Sequence, residues 1–151
     1  MYAKNAWKKY SGESLEQLMK LADLYKQYIS LGKTEREITD LSVKALEATG
    51  FVNLDKVEEL HPGDKVYKVN KSKNVAAFVI GSKKVSDGLR ILGAHIDSPR
   101  IDIKQNPLYE DHDLVLLDTH YYGGIKKYQW VTIPLAIHGV VCKKDGSIVD
   151  V

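Results

Sequence analysis

The spacing of apolar residues changes once along this 151-residue chain, and that change limits its fold class. In the first third, Leu15, Leu18, Met19, Ala22, Tyr25 and Ile29 recur at the spacing of one helical face. Ser14-Leu-Glu-Gln17 fits a capping box for that helix, and Gly32 is placed to stop it. Thr34-Glu-Arg-Glu37 reads as a second capping box, followed by Ile38, Leu41, Ala45 and Leu46, with Gly50 as the stop. Both stripes read as core-facing scaffold. Beyond Gly50 the pattern is that of strands. Pro62-Gly63-Asp64 is a turn, and residues 66–69 and 75–80 read as a hairpin joined by the polar run 70–74. The nearly continuous apolar run 89–94 predicts a strand covered on both faces. Residues 96–113, with two prolines and many acidic groups, read as irregular, and 114–117 as another strand. Residues 131–142 read as one long strand or two short ones, with Pro134 favouring an edge or a bend. Asp145-Gly146 signals a hairpin turn, after which a returning strand begins. The fold class is therefore α/β, two helices followed by a mixed sheet.

Hydrophobic residues make up 44% and charged residues 28%, the composition of a chain that packs a core. The 22 basic and 20 acidic side chains leave a formal charge of +2. Such a balance offers no broad cationic surface, so nucleic acid and acidic membranes are not expected partners, and a small solute or peptide is. The one cysteine, Cys142, lies in an apolar run and reads as a core residue rather than a nucleophile. A single cysteine makes no intrachain disulfide, the amino-terminal ten residues have no apolar stretch of signal-peptide length, and no later run approaches a membrane span. The expected compartment is the cytoplasm.

Chemistry concentrates in Gly93-Ala-His-Ile-Asp-Ser-Pro-Arg100. A strand end is where open α/β sheets bind ligands, and this one is expected to deliver His95, whose imidazole is a common metal ligand. Asp97 can coordinate a second ion, or it can accept the other ring N–H of His95 and so fix the tautomer and raise the ligand's basicity. A bare His-x-Asp also serves as a loop-holding hydrogen bond. His120, before Tyr121-Tyr122-Gly123-Gly124, reads as part of a hinge, His138 as a core or interface residue, and His61 and His112 as loop residues without an evident partner. Asp102, Glu110, Asp111 and Asp113 read as a solvated acidic loop.

The longer run decides among these. Residues 94–104, then Asn106-Pro-Leu-Tyr-Glu110, Thr119-His-Tyr-Tyr-Gly-Gly124, Ile125-Lys-Lys-Tyr-Gln-Trp130 and Ile133-Pro-Leu135, together resemble the aspartyl aminopeptidase-type family of metallopeptidases, especially its bacterial members. The resemblance extends from the helical start to the last residue and is densest over 89–142. It implies hydrolysis of the amino-terminal residue of peptides at a two-zinc site, with other divalent metals possible, in a homo-oligomer built from dimers. It implies that His95 is a zinc ligand and that Asp97 is the catalytic-site carboxylate that orients it. The other ligands and the general-base glutamate of the family come from segments further along. The chain is accordingly expected to be an amino-terminal portion, inactive by itself. Residues 1–120 are expected to form the first part of a zinc-peptidase-like catalytic domain, and residues 121–151 the start of an inserted β-rich dimerisation domain. Two competing readings are a non-catalytic interaction or assembly module of the same fold, and a different metal hydrolase built on His95, Asp97 and nearby carboxylates.

Overall fold

A computed structural model describes residues 5–151; the first four residues of the amino-terminal stretch lie outside them. The described elements follow the expected order of helices and then strands. A 3-10 turn at Ala6–Lys9 precedes α1, Gly12–Leu31, and α2, Glu35–Ala48. The strands are β1 (Val52–Asn53), β2 (Lys65–Asn70), β3 (Asn74–Val79), β4 (Arg100–Asp111), β5 (Leu114–Tyr122), β6 (Val140–Cys142) and β7 (Ile148–Asp150), with a single helical turn α3 at Lys127–Trp130. Contacts divide the chain into two compact units at the Ile96–Asp97 bond.

In the first unit α2 is set by its ends. The Thr34 hydroxyl accepts from Glu37 N–H at 3.3 Å, and the Glu37 carboxylate accepts from Thr34 N–H at 2.8 Å, the reciprocal box expected from sequence. Gly50, at φ +86°, turns the chain away from the helix, as its position predicts. The start of α1 differs from expectation. Ser11 is its N-cap, and the Ser14 hydroxyl accepts from Ser11 N–H at 3.1 Å, while Gln17 donates to Glu13 at 3.1 Å. The box therefore lies one turn earlier than Ser14–Gln17, with Ser11 rather than Ser14 as the cap. Gly32 ends α1 in extended backbone, and its role is room: a Cβ there would collide with the Ile38 side chain and stand 3.3 Å from Leu41 Cδ1. Tyr28 reaches across the same junction, donating to the Ile38 carbonyl at 3.2 Å and bonding Ser42.

α2 packs on β2 and β3 of a mixed sheet ordered β1-β2-β3. β1 runs parallel to β2 with Val52 opposite Val66, and β2 runs antiparallel to β3 with Val66 opposite Phe78. Among the described residues the buried core consists of Ile38, Thr39, Val66 and Tyr67, the α2–β2 seam. The Tyr67 hydroxyl donates to Glu47 at 2.6 Å, and this carboxylate partner holds the phenol above its usual pKa. The apolar stripe of α1 is not core: Leu15, Met19, Tyr25 and Ile29 remain exposed.

The second unit is built on the β4–β5 hairpin, and here the irregular reading of 96–113 is overturned. β4 is twelve residues long. Its proline is accommodated by a bulge in which Lys104 to Pro107 stand opposite Asp118, between the pairs Ile103–Thr119 and Leu108–Leu117. Lys104 and Asp118 close the bulge with a 3.0 Å ion pair. The long strand read over 131–142 is also corrected. Pairing is confined to β6 with β7, extended by reciprocal Gly139–Val151 backbone bonds, because Pro134 lacks the N–H a ladder requires and no described segment pairs with 131–138. The turn between them is the expected one: Gly146 takes φ +84°, and Ser147 donates twice to Asp145, lowering the pKa of that carboxyl. Cys142 is exposed rather than core. His138 is likewise exposed.

Two outcomes follow. Thr34→Ala should lower stability in a urea titration by about 1 kcal/mol, the usual effect of losing an N-cap, and Gly32→Ala by about 1–3 kcal/mol through overpacking against Ile38; equal stability of both variants to the parent would contradict the α1–α2 junction. Because so many large apolar side chains are exposed, among them Leu92, Ile91, Val131 and Val115, the 151-residue chain should bind an apolar dye and scatter light as an associated species. A dye-silent, monodisperse monomer is the opposing result.

Candidate functional site

His95 and Asp97 fall in a segment, residues 88–99, without regular structure. The expected double-covered strand at 89–94 does not form. Leu89 is 67%, Ile91 81% and Leu92 100% exposed, because a strand exists only beside a partner and none of the described residues pairs with this run. His95, the penultimate residue of the first unit, is exposed, and its imidazole is a suitable donor for zinc. Among the described residues no three His, Cys, Asp or Glu side chains converge to hold a metal ion. The described residues thus provide a donor of the right chemistry without a closed ligand set.

Asp97 opens the second unit and is half-buried. The Tyr122 hydroxyl donates to its Oδ2 at 2.6 Å. Tyr122 is brought there by strand pairing: it is the last residue of β5 and stands directly opposite Arg100, the first of β4. The Arg100 guanidinium lies 4.2 Å from the Tyr122 ring centroid, and its Nε donates to Asp102 at 2.7 Å. Gly123 then turns away at φ +73°, packed against Pro99. Sequence reading missed Tyr122 as the partner of Asp97 and Arg100 as the group over its ring; the signal for the tyrosine was present in Tyr121-Tyr122-Gly123-Gly124, which reads as a hinge.

The remaining candidates are placed as follows. Asp102 belongs to β4 and is paired with Arg100, not part of a solvated loop. His120 faces Asp102 across the hairpin, with Nδ1 3.3 Å from the Tyr121 carbonyl oxygen, and the two line a shallow depression of about 560 Å³ with Ile103, Lys104 and Gln105. Glu110 and Asp111 end β4, and Asp113 occupies the turn at φ +60°. His61 and His112 do have neighbours: Asp64 at 3.7 Å and Asp111 at 2.8 Å respectively. No helix among the described residues is long and apolar enough to cross a membrane.

Comparison with known proteins agrees with the resemblance read from sequence. Residues 28–150 match the M18 peptidase family, described as aminopeptidase I zinc metalloproteases. A probable M18 family aminopeptidase 1 of Clostridium acetobutylicum is 55% identical over 152 residues, covering 98% of this chain and 33% of the relative. The crystal structure of aminopeptidase I from Borrelia burgdorferi B31 matches with a TM-score of 0.92 at 40% identity, over 98% of this chain and 37% of that one. An M18-family aminopeptidase from Thermotoga maritima matches with a TM-score of 0.90 at 41% identity, over 100% and 33%. The chain spans about a third of the length of the relatives it matches. With a family match over most of its residues and α/β structural neighbours, the chain belongs to the M18 family of zinc metalloproteases.

Proposed function

We propose that this chain serves a metal-dependent aminopeptidase that removes the amino-terminal residue of peptides at a two-zinc site, to which it contributes His95 as one ligand. The observation that carries the reading is the His95-Ile-Asp97-Ser-Pro99 segment within a chain of the M18 family. Zinc, when bound, polarises a carbonyl and makes hydroxide available near neutral pH. The part of this chain is narrower. His95 offers one neutral imidazole nitrogen, and Asp97 accepts the opposite ring N–H and fixes the tautomer. A single protein ligand does not hold zinc in the geometry that hydrolysis needs, and the described residues contain no further metal-holding group. The remaining ligands and the general base are therefore assigned to chain of the kind the longer relatives possess, which would also cover Leu89, Ile91 and Leu92. Within this proposal residues 1–120 form the first part of the catalytic domain and residues 121–151 begin a β-rich dimerisation domain, in a cytoplasmic homo-oligomer.

In a protein of the relatives' full span carrying this chain, His95→Ala should lose one metal equivalent and nearly all peptidase activity. Asp97→Asn should weaken metal binding by about 10–100-fold, as changes to groups behind a ligand typically do. Elemental analysis giving unchanged metal content in both variants would sink the assignment. The 151-residue chain by itself should release no amino-terminal residues from peptides; chelator-sensitive release by purified material ending at Val151 would favour a self-sufficient enzyme instead.

A further inference from the structure

Asp97 lies outside the β4–β5 ladder, three residues before its first pair, in a stretch interrupted by Pro99. A carboxylate on such a segment samples several rotamers unless something beyond its neighbours in sequence holds it. The hairpin supplies that hold. At 2.6 Å, the Tyr122–Asp97 bond is within the short range of hydroxyl-to-carboxylate bonds. The phenol is in turn fixed from its face, because the Arg100 guanidinium stacks on the ring at 4.2 Å and is anchored by Asp102 at 2.7 Å. Antiparallel register places Arg100 and Tyr122 opposite one another, so the whole arrangement is positioned by backbone pairing rather than by side-chain adjustment. We infer that Tyr122, buttressed by Arg100, is a positioning residue for Asp97: it holds one carboxylate oxygen so that the group presents a defined lone pair to the ring N–H of a metal-ligating histidine. A carboxylate accepts several hydrogen bonds at once, so the phenol and an imidazole do not compete for it. The inference rests on the proposed role of His95 and Asp97, and assigns Tyr122 and Arg100 an action through Asp97.

The test uses the zinc-loaded protein of the relatives' full span, with zinc affinity measured by chelator competition and ligand geometry by the visible absorption of the cobalt(II)-substituted form. Tyr122→Phe keeps the ring on which Arg100 stacks and removes only the hydroxyl. It should weaken zinc binding by about 10-fold, the lower end of what groups behind a ligand contribute, and shift the cobalt spectrum in the same direction as Asp97→Asn. The double variant Tyr122→Phe/Asp97→Asn should bind zinc no more weakly than Asp97→Asn by itself, since the hydroxyl acts through the carboxylate. Thermal unfolding checks that each variant is folded; if Tyr122→Phe is not, Arg100→Gln enters the same cycle and should show a smaller loss that also vanishes in the Asp97→Asn background. Parent-like zinc affinity in Tyr122→Phe, or losses that add to those of Asp97→Asn, would overturn the positioning role while leaving Asp97 in place. Zinc retention by both His95→Ala and Asp97→Asn would instead remove the metal-site reading, and the inference with it.

Discussion

A backbone N–H or C=O group that leaves water has to find a partner, and in this chain the sheet partners come mostly from nearby segments. β2 pairs with β3 across the three-residue turn Lys71-Ser72-Lys73, β4 with β5 across His112-Asp113, and β6 with β7 across Asp145-Gly146. These ladders set which side chains face one another. Apolar burial is confined to the α2–β2 seam among the described residues, where Ile38, Val66 and Tyr67 leave solvent. The molecule is thus organised by pairing first and by packing second, the reverse of the balance usual in a domain of this size.

That order explains what could be read from the residues and what could not. The Thr34–Glu37 box and the Asp145-Gly146 turn are complete within a few residues, so composition and spacing suffice to place them. β4 carries Pro107 and a polar run, signals that ordinarily argue against a strand; the bulge absorbs them, and nothing in periodicity announces a bulge. The errors at 89–94 and 131–138 have the opposite cause. Their apolar content fits a strand interior, but a ladder needs a second segment, and within the described residues none is offered.

The candidate site divides along the same line. His95 and Asp97 could be named because they sit two residues apart in a recognisable segment. Tyr122 is 25 positions from Asp97, and the register that brings them together passes through the bulge, whose four residues face one. The M18 relatives have roughly three times the length of this chain, and large apolar side chains suited to cover stand exposed here.

Gly123 offers a caution for reading mutational data on this protein. Its backbone occupies the left-handed region, at φ +73°, immediately after the tyrosine that grips Asp97, and a Cβ there would rest in ordinary contact with Pro99. Any other residue there strains the turn by about 1–2 kcal/mol, and that strain falls on the hydroxyl–carboxylate bond at its flank. In a saturation screen scored by retention of that bond, the position would tolerate little although it has no side chain to perform chemistry. Intolerance at this glycine would report the steadiness of a neighbour's aim, and a map drawn from sensitivity would be wider than the set of groups the proposed site itself uses.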